Sequence, residues 1–77
     1  MEKLKIGIIG MGSIANSAHI PAYLLEKRAE IVAVCDIIEE RAQKARQKHF
    51  KNARVYTDYK ELLKDPDVQA VDICTPK

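Results

Sequence analysis

Four short apolar runs, each separated from the next by a polar stretch with helical character, constrain this chain more than any other feature. They are Leu4 to Ile9 (LKIGII), Glu30 to Cys35 (EIVAVC), Arg54 to Thr57 (RVYT) and Ala70 to Thr75 (AVDICT). Each is too short for a buried helix and rich in β-branched residues, so each reads as a strand, the first buried on both faces. Strands that alternate with helical segments build a parallel sheet with right-handed crossovers, an α/β architecture.

The intervening stretches support this. Ser13 to Arg28 carries an apolar stripe at Ile14, Ala15, Ala18, Ala22 and Leu25, interrupted by Pro21. Proline removes a backbone donor and clashes with the carbonyl four residues back, so the spacing predicts a kink, or two short helices meeting near His19 to Pro21. Ile38 to His49 forms a second helix, and Asp58 caps a short third one through Lys64, broken by Asp65-Pro66-Asp67. With 77 residues there is room for one domain, and a chain of this size buries roughly 60% of the surface it exposes when unfolded.

Composition excludes several classes of function. A content of 47% hydrophobic and 31% charged residues is that of a globular chain, and no run approaches a membrane span or a signal peptide, so a cytoplasmic location is expected. The net charge is only +2. Arg41, Lys44, Arg46 and Lys48 recur at helical spacing without aromatic partners, the pattern of a solvated helix face and not of a nucleic-acid patch. Cys35 and Cys74 read as reduced thiols; a zinc site calls for more cysteines or histidines, more closely spaced, so no metal is expected.

Chemistry enters between the first strand and the first helix. Gly10-Met11-Gly12-Ser13-Ile14-Ala15 fits G-x-G-x-x-[GA], preceded by a buried strand and opening a helix, as the mechanism requires. Gly10 permits the tight turn, Gly12 lets backbone approach a pyrophosphate, and Ala15 lets helix and strand pack closely. The diphosphate then faces helix N–H groups with a partial positive charge. An acid belongs at the tip of the second strand, and Asp36 stands there, 24 positions after Gly12. Its carboxylate suits the free ribose hydroxyls of NAD and repels the 2′-phosphate of NADP; Ile37 and Ile38 offer that phosphate nothing, so NAD is favoured. Read singly, such a glycine is an ordinary turn residue and such an aspartate an ordinary helix cap. Their joint order and spacing carry the argument.

At this point the sequence resembles a known family. GIIGMGSIANSAHIPAYL, AVCD and VYTDYKELLKDPDVQAVDICTP together resemble the N-terminal part of the Gfo/Idh/MocA oxidoreductases, over nearly the whole chain. The distinguishing pieces are the glycine turn, His19-x-Pro21, Thr57-Asp58-Tyr59-x-Glu61-Leu62-Leu63 and Thr75-Pro76. The resemblance implies a partial Rossmann fold with strand order 3-2-1-4, and NAD(P)-dependent hydride transfer on a sugar, polyol or related hydroxyl carbon. It implies that Gly10, Gly12, Ser13, Ile14 and Ala15 line the diphosphate, that Asp36 holds the adenosine ribose, and that Thr75 and Pro76 lie near the nicotinamide. Lys77 stands where members commonly have asparagine.

Residues 1–77 thus read as the N-terminal portion of a dinucleotide-binding domain, truncated, with the substrate domain absent. The family's catalytic lysine in a Glu-Lys-Pro motif, and its later aspartate and histidine, fall outside the chain, so no catalytic residue is assigned. His19 is expected to pack or cap, and His49 to sit on the exposed basic end of its helix. Strand order 3-2-1-4 places Cys35 and Cys74 about 10 Å apart, too far to bridge. It also leaves strand four as an open edge, with Val71 and Ile73 bare, and one sheet face covered only by the Asp58 to Lys64 segment; a homodimer is therefore expected. Asp72, an acid in an apolar strand, needs hydrogen bonds or a place at the strand end. The alternative to a cofactor-binding role is a non-catalytic, self-associating α/β module with a vestigial turn; a methyltransferase-like adenosine binder ranks below both.

Overall fold

Backbone pairing in a computed structural model, which describes residues 3–12 and 19–74, places four parallel strands in the order β3-β2-β1-β4. The elements run β1 (Leu4–Ile9), α1 (Ile20–Leu25), β2 (Ala29–Cys35), α2 (Glu39–Lys48), β3 (Arg54–Tyr56), α3 (Tyr59–Leu63) and β4 (Ala70–Ile73). Fold class and strand order agree with the sequence reading.

The sheet separates two hydrophobic clusters. On one face Ile6, Ile8, Ile31 and Val34 pack with Ile20 from α1 and with Ala42 and Ala45 from α2. On the other, Ala33 and Cys35 pack with Leu62 from α3. Ile31 and Val34 share a face although three positions separate them, against the two-residue alternation of a strand. The cause is a register slip: Ile6 pairs with Ile31 but Gly7 with Ala33, so Val32 is an extra residue that inverts the alternation. Gly7 lies under α3, where an added Cβ would stand 2.8 Å from Leu62 Cδ2. The missing side chain in β1 is what lets Leu62 settle against the main chain.

The helices follow local chemistry. Ala42 and Ala45 give α2 a small inward face, Arg41, Lys44 and Lys48 lie exposed as expected, and Glu39 and Glu40 in the first turn and Arg46 and Lys48 in the last complement the helix dipole. The Asp58 side chain accepts from Lys60 N at 2.9 Å and caps α3, also as expected.

The first helix departs from its expected span. Residues 13–18 lie outside the described set, and α1 begins at Ile20 with Pro21 in its first turn, where a missing N–H costs nothing. It ends at Leu25, not Arg28, because the Glu26 carboxylate accepts from Arg28 N at 2.9 Å and Arg28 Nε at 3.1 Å. That turn carries the chain directly into β2.

Asp72 also finds its explanation here. Within β4 it points toward α1, where its Oδ2 accepts from the Tyr23 hydroxyl at 2.8 Å and lies 2.7 Å from His19 Nδ1. His19 therefore makes no side-chain cap; it and Tyr23, one helical turn apart, satisfy the half-buried acid. No helix among the described residues is long and apolar enough to cross a membrane.

Candidate functional site

Three parallel strands bring their C-terminal ends to one rim: Ile9 pairs with Cys35 on one side and with Ile73 on the other. Gly10, Asp36 and Cys74 therefore stand side by side. The chain order reverses across β1, and at such a switch point an open α/β sheet offers a crevice to a ligand.

Gly10 turns the backbone with φ of 94°, a left-handed conformation for which glycine is suited. Its N–H donates to Cys35 O at 2.7 Å, and the next amide, Met11 N, donates to Asp36 Oδ2 at 2.8 Å. The other carboxylate oxygen accepts from Ile38 N at 2.8 Å, and Asp36 N donates to Tyr56 O at 3.1 Å. Asp36 is thereby held with only 7% exposure, and its two oxygens keep further lone pairs for additional donors. Met11 contributes its side chain to the core beneath.

The amides of Gly10 and Met11 are turned inward, to Cys35 O and Asp36 Oδ2, and Gly10 shapes the turn. At Gly12 an added Cβ would meet no atom of the described residues within 4 Å. Open space at that position is what close backbone approach of a ligand calls for. Ser13, Ile14, Ala15, Thr75 and Pro76, the other expected contacts, lie outside the described residues.

Neither cysteine has the character of a nucleophile. Burial, with the neighbouring Asp36 and Asp58 charges, pushes the Cys35 thiol up, and burial with Asp72 raises Cys74 to about 11. Both are free. Burial also raises the Tyr23 hydroxyl to about 12, reinforced by its hydrogen bond to Asp72. Burial alone would raise Asp72, but hydrogen bonds from His19 and Tyr23 outweigh it and hold the carboxyl below its ordinary value. The sequence signal for this group was the i,i+4 spacing of His19 and Tyr23, which puts both on one side of a helix.

Comparison with known proteins gives a consistent result. The GFO/IDH/MocA family model, described as an oxidoreductase family with an NAD-binding Rossmann fold, matches residues 4–77. The chain is 41% identical over 70 residues to inositol 2-dehydrogenase of Salmonella paratyphi B, covering 91% of this chain and 21% of that protein. The crystal structure of myo-inositol dehydrogenase from Lactobacillus casei, in complex with NAD(H) and myo-inositol, superposes with a TM-score of 0.87 and 40% identity, covering 95% of this chain and 22% of the other. A 3-ketoreductase from Actinomadura kijaniata in complex with NADP superposes with a TM-score of 0.88 and 27% identity, over 97% of this chain and 23% of the other. The chain thus spans about a fifth of the length of the relatives it matches.

Proposed function

Because the chain belongs to the GFO/IDH/MocA oxidoreductase family, we propose that it holds the adenosine diphosphate half of NAD, as the cofactor-binding part of an enzyme acting on a polyol or sugar. One observation carries this reading. The acid suited to the ribose and the turn suited to the diphosphate are a single unit, joined by the bond from Met11 N to Asp36 Oδ2, with open space over Gly12. NAD, when bound, supplies the hydride acceptor; the residues of this chain bind and orient it. The Asp36 oxygens, each already taking one amide proton, accept the ribose hydroxyls with their remaining lone pairs and repel a 2′-phosphate. An inositol-like substrate is supported by the inositol dehydrogenases among the relatives.

Calorimetric titration of the chain with NAD and with NADP tests the reading. NAD is expected to bind more tightly, and Asp36→Ala to reduce that preference by about tenfold, the worth of one charge-assisted hydrogen bond. Asp36→Ala also frees two backbone amides, so the ratio of the two affinities, in which a common loss of stability cancels, is the quantity to read. Gly12→Val is expected to abolish binding of both nucleotides, with the far-ultraviolet dichroism spectrum unchanged, since its side chain meets no atom of the described residues within 4 Å. A wild-type chain that binds neither nucleotide overturns the reading.

A second reading, self-association, is favoured by the β4 edge. β4 pairs with β1 alone among the described strands, and Val71 and Ile73 are exposed, the latter at 64%. A dimer closing this edge or covering this face is expected by sedimentation at micromolar concentration, and a strictly monomeric chain would contradict it.

A further inference from the structure

Where α1 packs over β4, three side chains that the cofactor reading leaves unused gather around the Asp72 carboxylate. His19 Nδ1 lies 2.7 Å from Asp72 Oδ2, and the Tyr23 hydroxyl donates to that same oxygen at 2.8 Å. Cys74, two residues along, places its sulfur within 4.8 Å of the His19 and Asp72 ligand atoms. The Asp72 carboxylate, its side chain 19% exposed, brings its negative charge beside the His19 imidazole nitrogen and the Cys74 sulfur. We propose that His19, Asp72 and Cys74 form a binding site for a divalent transition-metal ion of the zinc class.

The donor set decides the class of ion. One imidazole nitrogen, one carboxylate oxygen and one thiolate sulfur suit zinc and its borderline-soft neighbours and poorly suit magnesium or calcium. Donors bound at roughly 2.0 to 2.3 Å around a tetrahedral ion stand about 3.3 to 3.8 Å apart. From the spacings described, His19 and Asp72 open by under about an ångström and the sulfur closes by a similar amount. Three protein ligands leave the fourth position to water. The His19 side chain is 37% exposed and Cys74 is buried. Tyr23 keeps its hydrogen bond to Asp72 and orients the carboxylate, the outer-sphere role that metal ligands ordinarily require.

The proton balance is explicit. The ion forms a bond to Sγ as the thiol proton leaves to solvent, and another to Nδ1, whose proton moves to Nε2 if the imidazole is neutral or leaves if it is charged. One proton is released in the first case and two in the second. The buried thiol, which gains a proton readily at Cys74 without an ion, becomes a thiolate only because the adjoining dication reverses the local field. The sequence hides this site: His19 lies 53 positions from Asp72, so no short ligand motif announces it.

Titration of the reduced, metal-free chain with cobalt(II), followed by displacement with zinc(II), tests the proposal. A thiolate-to-cobalt charge-transfer band saturating at one equivalent, bleached by zinc and accompanied by proton release, is expected. Cys35→Ser, across β1 from the site, is expected to keep the band, and Cys74→Ser to lose it. His19→Gln is expected to weaken cobalt binding by more than about tenfold, with an unchanged far-ultraviolet dichroism spectrum as the folding control. Absence of the band in the wild-type chain at millimolar cobalt, or its survival in Cys74→Ser, overturns the proposal.

Discussion

Gly10 and Gly12 stand two residues apart and do different work. Gly10 adopts φ of 94°, so any Cβ there strains the backbone itself. Gly10→Ala is expected to destabilise the fold by about 1 to 2 kcal/mol in urea unfolding, and to disturb the neighbouring Met11 to Asp36 bond. At Gly12 an added Cβ meets no atom of the described residues within 4 Å. The identity of both glycines and of Asp36 was legible because each sits at a fixed offset from an apolar run. The direction of the amides was not: Gly10 and Met11 point inward because the ends of β1 and β2 coincide, a product of register that no local pattern encodes. Asp72 was legible as an anomaly and His19 as a helix residue. Their meeting depends on α1 crossing β4.

Strand and helix identities were read correctly, and their limits were set by side-chain bonds that periodicity does not count. The Glu26 to Arg28 turn shortens α1, and the slip at Val32 changes which residues of β2 share a face. At the same scale, Gly7 fixes the distance between β1 and α3. Gly7→Val is expected to cost about 1 to 3 kcal/mol in thermal or urea unfolding, because the fully buried Leu62 side chain must shift to admit the new one. The connection between β3 and β4 is tied by Asp65, which accepts from the Tyr56 hydroxyl at 2.7 Å and Asp67 N at 2.9 Å and pairs with Arg54 Nε at 3.0 Å. The Tyr56 hydrogen bond, with the Asp67 amide and the Arg54 guanidinium, holds the Asp65 carboxyl below its ordinary value despite burial. A carboxyl lowered on folding contributes stability that is fully present above its unfolded value and lost as pH falls through its folded one. The stability difference between wild type and Asp65→Asn, measured by urea unfolding across a pH series, is therefore expected to be constant near neutrality and to close below about pH 4.

At the scale of the molecule, among the described residues, a sheet of four strands carries two helices on one face and one short helix on the other, with Ile73 exposed at the β4 edge. That asymmetry was foreseeable from element order, since the two longer helices follow the first two strands. It also sets the rim at which Gly10, Asp36 and Cys74 stand side by side. The most direct test is a map of backbone amide shifts in a nitrogen–proton correlation spectrum during titration with NAD. The largest changes are expected at Gly12, Ser13, Ile14 and Ala15, with Asp36 and Ile38 following as the ribose engages the carboxylate. A spectrum unmoved at saturating NAD, or one whose changes gather around Phe50 and Lys27 at the opposite end of the strands, would contradict the account.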